Sequence, residues 1–389
     1  MLSLVKKMTK ALRVHSWGFF NLNGVRGLDE VYMRMALDLA RKGKGWTTPN
    51  PLVGAVIVKG GRVIGQGYHQ KYGQPHAEVN AIASAKEDVT GATLYVTLEP
   101  CSHFGKTPPC SDLLIDKNIK RVVVGTLDPN PLVAGKGIEK LRSNGIEVVT
   151  GVLEEESQKL NEIFIKYIVT KEPFVVMKNA MSLDGKIATV TGESQWISGE
   201  SSRKQVHSLR HELAGIMVGI ETIIKDDPQL TSRTLNSRNP IRIVVDSQLR
   251  IPIASKVLTQ QDKAKTIVAT TRRANKEKLD TLKQMDIEVL VTKEKGGRVD
   301  LKELMKLLGA KGIDSILLEG GANLNFSALE EGIVDKIQSY IAPKIIGGKE
   351  AKTAVEGAGV HSLKNAFQID RMTPVMVGED LFVEGYIIK

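Results

Sequence analysis

The sequence predicts an α/β protein made of two domains, and three observations lead there. At 389 residues the chain is longer than one hydrophobic core ordinarily organises. Short β-branched runs alternate with stretches of helical period, which implies helices layered on sheet. The alternation comes as two series that meet at Pro173. The expected division is an extension over 1–28, a first domain over 29–172 and a second over 173–389.

In the first series, DEVYMRMALDLARKG has helical apolar spacing with glycine at its end. GAVIVKGGRVIGQGYH reads as two strands joined at Gly60-Gly61. HAEVNAIASAKE is helical and ATLYVTLEP a buried strand. CSDLLIDKN, RVVVGTLDP, GIEKLRSNG and IEVVTGV follow as helix, strand, helix and strand. EEESQKLNEIFIKYIVTKEP reads as one long helix stopped at Pro173. In the second series FVVMKNAMSLDGKIA is a strand with a polar end, SSRKQVHSLRHE a helix and GIMVGIETI a strand. IRIVVDS, TIVATT and IEVLVT are strands, with ANKEKLDTLKQM helical among them. DLKELMKLLGAKG is a helix, SILLEGG a strand and NLNFSALEEG a helix. IQSYIAPKIIGG and LFVEGYIIK read as closing strands.

Composition narrows the function. Hydrophobic content of 42% with 25% charged residues is that of a globular chain. No apolar run approaches the roughly 18 residues that cross a bilayer. Two cysteines make no disulfide framework and suit a reducing compartment, where such residues bind metal or act in catalysis. The expected location is the cytoplasm. Residues 1–28 hold no acidic residue and five basic ones, so a cleaved organellar presequence is the alternative to a plain extension. A net charge of +10 calls for anionic partners. Basic residues are dispersed and no aromatic-rich basic stripe occurs, which favours phosphorylated small molecules over nucleic acid.

The chemistry concentrates in PHAEVNAIASA (75–85) and EPCSHFGKTPPC (99–110). One histidine and two cysteines, His76, Cys101 and Cys110, form a three-ligand zinc set with a fourth position for water, as catalytic sites have. Zinc brings the pKa of such a water to about 7. Glu78, not itself a ligand, is placed to move protons. His-x-Glu followed by Pro-Cys and a second Cys is the pattern of zinc nucleobase deaminases. That pattern has Cys-x-x-Cys, whereas eight residues separate Cys101 from Cys110 here. Alone, each of these residues has a bland reading, as a helix cap or a small buried hydrophobe. Together they favour a metal site. Ser102, His103, Lys106 and Thr107 in the enlarged loop add donors suited to a substrate phosphate.

TTPNPLVGAVIV, GYHQKYGQPHAE and EPCSHFGKTPPC, with MSLDGKIA, SQWISGE, DDPQLTSR and LEGGANLNFS in the second half, resemble the bifunctional riboflavin-biosynthesis deaminase-reductases in order and content. The resemblance runs from residue 29 almost to the end. It implies a cytidine-deaminase-like three-layer α/β/α domain followed by a dihydrofolate-reductase-like α/β domain. It implies one Zn2+ per chain, NADPH, and 2,5-diamino-6-ribosylamino-4(3H)-pyrimidinone 5′-phosphate as substrate. Asn50, His69, His103 and Lys106 would hold the pyrimidine or its phosphate. Neither nucleic acid nor membrane is an expected partner. The family is often oligomeric, and the sequence fixes no subunit number.

For the reductase half the resemblance implies NADPH contacts from Ala180, Trp196, Thr222, Asp226, Ser247, Gly321, Ala322, Asn323, Leu324, Asn325, Phe326 and Ser327. Ser194, Arg210, Leu230, Arg233 and Glu319 would meet the substrate. Arg250 is the candidate for the cofactor's extra phosphate, and Lys178 and Asp227 are neighbouring polar candidates. Gly320-Gly321 before a helix suits close approach of a phosphate, although it is not the G-x-G-x-x-G fingerprint. Taken singly, DDP is a turn signal and Trp196 a core or rim residue. The rival readings are a deaminase of nucleic acid and a scaffold that has lost its activity. The reductase-like half argues against the first; the intact zinc set argues against loss of the first half's activity, while the second half holds no comparably diagnostic set.

Overall fold

The computed structural model describes residues 25–104, 108–130 and 133–389. It divides into two compact units, one with the residues up to Gly43 and Leu52–Asn161, the other with Lys44–Pro51 and Glu162–Lys389. Residues 1–24 of the expected extension lie outside the described residues. The helix expected from residue 29 already begins at Val25 and runs to Arg41.

In the first unit, five strands lie in the order β2-β1-β3-β4-β5. They are β1 Gly54–Lys59, β2 Arg62–Tyr68, β3 Thr93–Leu98, β4 Arg121–Thr126 and β5 Glu147–Thr150. β1 pairs antiparallel with β2 and β3, while β3, β4 and β5 run parallel. Side chains alternate across a strand, and both faces of β1 are used. Ala55 and Ile57 pack with Ala77, Ala81, Leu114 and Leu141 from three helices. Val56 and Val58 pack with Met33 and Leu37 of Val25–Arg41 on the other side. This is the expected three-layer arrangement. It puts the start of Ala77–Ala83, the end of β3 and the start of Cys110–Asp116 within reach of one another.

Gly54 lets the first helix sit this close, because a methyl there would overlap the carbonyl oxygen of Ala36. Gly54→Ala is expected to destabilise the first unit by about 1–3 kcal/mol through overpacking. A shift of its urea midpoint measures this, and an unchanged midpoint would show that the helix yields freely.

The long helix expected over 154–173 is two, Glu154–Leu160 and Glu162–Thr170. Asn161 breaks it. Its side chain accepts from Leu52 N at 2.8 Å and donates to Leu52 O at 2.9 Å, so its amide serves as a backbone surrogate. The second helix belongs to the second unit, where the Tyr167 hydroxyl donates to Gly309 O. The division therefore precedes Pro173. Segment Lys44–Pro51 joins the same unit through Trp46, edge-on to His211 at 5.2 Å, and the Lys44–Glu212 ion pair.

The second unit has a nine-stranded sheet, order β10-β9-β8-β7-β13-β6-β14-β16-β15. Its strands are β6 Phe174–Ser182, β7 Gly215–Gly219, β8 Ile241–Val245, β9 Thr266–Thr271, β10 Glu288–Thr292, β13 Ser315–Leu318, β14 Lys336–Ala342, β15 Ile369–Val377 and β16 Asp380–Ile387. A separate hairpin pairs β11 Glu294–Lys295 with β12 Arg298–Val299. From β10 to β14 the sheet is parallel, and β16 and β15 close it antiparallel. Parallel strands buried on both faces read as continuous apolar runs. In β7, Met217 enters one core, and Ile216 and Val218 another.

Three local expectations change. GIMVGIETI is a strand only to Gly219, where the helix Ile220–Asp226 begins. IQSYIAPKIIGG is a strand only to Ala342. β15 has no counterpart in the sequence reading, because Pro374 argues against a strand, and proline is tolerated there only at a sheet edge.

Candidate functional site

The chemistry of the first unit is gathered where elements start and stop. His76 is the N-cap of Ala77–Ala83, and Cys110 opens Cys110–Asp116. Cys101 follows the end of β3. His76 Nδ1 lies 3.3 Å from Cys110 Sγ and 3.6 Å from Cys101 Sγ. The three donor atoms all fall within 4.8 Å of one another. Bonds of about 2.0 Å to nitrogen and 2.3 Å to sulfur give a tetrahedral N···S edge of about 3.5 Å, so the set fits zinc as it stands. The Cys110 amide donates to Cys101 Sγ at 3.3 Å, and Ser111 N donates to Cys101 O at 3.1 Å. The hydrogen bond from Cys110 and that from His76 hold the Cys101 thiol down, at about 4, against the opposing effect of burial.

Glu78 is buried beside this set, 3% exposed, on the first turn of its helix. Burial first, and the charge of Cys101 second, push its carboxyl up to about 7. A carboxyl near neutrality both accepts and returns a proton, as general acid–base catalysis requires. His69 is also buried, with Nδ1 3.1 Å from Pro75 O and its ring edge-on to His76. Burial lowers its pKa, so it sits there as a neutral imidazole. His103 is exposed in the enlarged loop, and Lys106 lies outside the described residues. Asn50 is half-buried in segment Lys44–Pro51, which groups with the second unit.

One residue was not singled out from the sequence. Glu99, 6% exposed, stands directly before Pro100-Cys101. Its carboxylate accepts from the backbone N–H groups of Gly137 at 2.9 Å, Gly135 at 3.0 Å, Asp128 at 3.2 Å and Ile138 at 3.4 Å. It thereby fixes the strand end that carries Cys101 to the start of Lys136–Ser143, where unpaired N–H groups favour a negative charge. The available signal was an acidic residue closing an apolar strand.

The second unit holds a cavity of about 890 Å³. Ser194, Thr222, Asp226, Ser247, Glu319, Gly321, Ala322, Asn323, Leu324 and Ser327 line it. The helix Ala322–Glu330 opens there with Gly321 as its N-cap, free of side-chain capping. Such a start offers N–H groups and a positive dipole end to a phosphate. Asn325 and Phe326 do not line the cavity. Asn325 is 1% exposed and donates to Asn179 Oδ1 and Ala354 O, tying that helix to β6. Phe326 stacks edge-on with Phe367. Ser194, expected on the substrate, lines this same cavity together with the residues expected on the cofactor. Ala180 is half-buried on β6, and Trp196 is 60% exposed with the Arg203 guanidinium 4.8 Å over its ring.

Of the residues expected at the reductase substrate, Arg210 and Glu319 come together. Arg210 donates from Nε and Nη2 to the two Glu319 oxygens at 2.7 and 3.1 Å. Lys178 Nζ stands 3.9 Å from the same carboxylate. Burial would raise the Glu319 pKa, but Arg210 and Lys178 outweigh it and hold it at about 2. Arg233 is exposed, and Leu230 is buried with φ of 54°. Asp227 is engaged with Lys256, whose backbone N it accepts at 2.8 Å. Arg250 pairs with Glu221.

Fold and site thus define a zinc-binding deaminase unit followed by a reductase unit with a nucleotide-sized cleft. Residues 27–126 match the cytidine and deoxycytidylate deaminase zinc-binding region, and residues 173–377 match the RibD C-terminal domain. The chain is 51% identical to the riboflavin biosynthesis protein RibD of Actinobacillus pleuropneumoniae, over 93% of this chain and 96% of that one. It is 47% identical to that of Aquifex aeolicus, covering 92% and 98%. Among solved structures, RibD of Acinetobacter baumannii superposes with a TM-score of 0.84 at 37% identity, covering 94% of this chain and all of the other. The chain belongs to the RibD family of riboflavin biosynthesis proteins, bifunctional enzymes with a zinc-dependent deaminase and an NADPH-dependent reductase. Among the described residues no helix is long and apolar enough to cross a membrane.

Proposed function

We propose that the substrate is a diaminopyrimidinone bearing a ribosylamino 5′-phosphate, deaminated in the first unit and reduced in the second. A relative from Thermotoga maritima, 38% identical and with a TM-score of 0.80, is described as a diaminohydroxyphosphoribosylaminopyrimidine deaminase and 5-amino-6-(5-phosphoribosylamino)uracil reductase. The observation that carries the reading is the donor set of His76, Cys101 and Cys110 beside a buried Glu78.

His76, Cys101 and Cys110 would hold zinc, which supplies a water acidified to near neutrality when bound. Glu78 takes the proton from the attacking water and delivers it to the departing amine. The C–N bond to the 2-amino group breaks, a C–O bond forms, and ammonia leaves. His69, uncharged, with His103 and Lys106, holds the ring and its phosphate.

NADPH, when bound in the second unit, would supply the hydride that reduces C1′ of the ribosyl group, and the accompanying proton has to come from this chain's own residues. Thr222, Asp226, Ser247, Gly321–Leu324 and Ser327 receive the cofactor. Glu319 stays ionised against Arg210, so it positions rather than donates. Lys178, whose pKa burial lowers, is the group of that cluster able to give up a proton. Both thiolates need a reducing compartment such as the cytoplasm, and the net charge of +10 serves small phosphates rather than nucleic acid.

Chelating the zinc is expected to abolish ammonia release from this substrate and leave NADPH oxidation on the deaminated compound within about twofold. Ammonia release that survives in protein shown to be zinc-free would overturn the deaminase assignment.

A further inference from the structure

One wall of the cofactor cavity is the hairpin β11–β12, which matches no element of the sequence pattern and has no assigned role. Its turn is Gly296-Gly297, with φ of 56° and 75°, in the left-handed region glycine adopts readily. The hairpin is fastened at several points. Arg273 Nε pairs with Glu294 at 3.0 Å, and its guanidinium also donates to Gly297 O. Val299 N donates to Ser247 Oγ at 3.2 Å. Arg298 Nη1 donates to Ser327 Oγ at 3.2 Å.

These bonds gather two hydroxyls and a guanidinium on one stretch of wall. Ser247 accepts from Val299 and keeps its own hydroxyl proton to donate. Ser327 is in the same position with respect to Arg298. Among the described residues Arg298 has no carboxylate partner, so its charge is not cancelled. Lys295 also lines this wall, with its charge shared with Glu331 at 3.7 Å, so Arg298 is the principal cation. Arg250 does not line the cavity and is turned onto Glu221.

Position identifies the phosphate. Ser327 lies about 9 Å along its helix from Gly321, at 1.5 Å per residue. With a pyrophosphate at the helix start, the cationic patch about 9 Å farther along is free to take a second anionic group of the same ligand. Resting on the reductase reading above, we infer that Arg298, with Lys295 and the hydroxyls of Ser247 and Ser327, binds the 2′-phosphate of NADPH and sets the preference for it over NADH. Guanidinium–phosphate hydrogen bonds are among the stronger polar contacts. NADH offers only a hydroxyl at that place.

The test is direct binding to the zinc-loaded full chain, followed by nucleotide fluorescence, with NADPH and NADH titrated separately. Arg298→Ala is expected to raise the NADPH Kd about tenfold or more and to leave the NADH Kd within about twofold. Retained NADH binding also shows that the variant is folded. Arg298→Lys should recover part of the loss, and Arg250→Ala should leave the preference intact. An unchanged NADPH Kd in Arg298→Ala, an equal loss for both nucleotides, or a preference that disappears in Arg250→Ala would each overturn the inference. Wild-type protein that binds neither nucleotide would overturn the reductase reading and this inference with it.

Discussion

Glu78→Gln is expected to retain zinc and lose deamination by a factor of about 10²–10⁴, the usual contribution of a positioned proton-transfer group. Glutamine preserves the shape of a side chain only 3% exposed, so packing is little disturbed. It cannot carry a proton between water and amine. The metal donors His76, Cys101 and Cys110 are untouched, which separates loss of chemistry from loss of metal. Zinc content by elemental analysis and ammonia release from the phosphorylated pyrimidine make the comparison. A zinc-replete variant with near-normal ammonia release would remove Glu78 from the mechanism.

Glu319→Gln has the largest expected effect on stability. Glu319 faces Arg210 through two hydrogen bonds and Lys178 at 3.9 Å, with all three side chains mostly buried. Neutralising it leaves two cations facing each other without a counter-charge, a change that costs about 3–5 kcal/mol in buried pairs. Urea denaturation followed by tryptophan fluorescence reads the loss, since Trp46 and Trp196 both belong to the second unit. The pH dependence follows from the depressed pKa. The Glu319 carboxylate contributes its full stabilisation above its ordinary pKa near 4.5 and loses it as pH falls toward about 2. The gap between wild type and variant should therefore be constant above about pH 5 and close progressively below it. A gap that persists unchanged in acid would mean that the carboxylate charge is not what stabilises the unit. Reduction should fall along with stability if, as proposed above, the same cluster positions the substrate.

The sequence made the sites legible unevenly, for physical reasons. His76, Glu78, Cys101 and Cys110 could be read because zinc chemistry demands those residue types, and strand and helix ends could be located around them. The strands of the parallel sheets were readable because burial on both faces leaves short apolar runs, as in ILL of β13 and IVV of β8. The break at Asn161 was not readable. It depends on a hydrogen-bond partner, Leu52, more than a hundred residues away. β15 was hidden by Pro374, whose tolerance depends on the strand's position at the sheet edge. Asn325 and Phe326 followed the family's cofactor stretch in sequence, but helical geometry turns them into the core while Asn323, Leu324 and Ser327 meet the cavity. The hairpin at 294–299 was too short to show a period of its own.

The four amide contacts of Glu99 bear on how the metal is acquired. A strand end secured by a carboxylate that never touches the ion keeps one thiolate in its final place before any ion arrives. Capture then immobilises little additional chain, and the entropy of assembling the cage is spent during folding instead. Affinity for zinc is in this sense inherited from the folded scaffold as well as from the donor atoms.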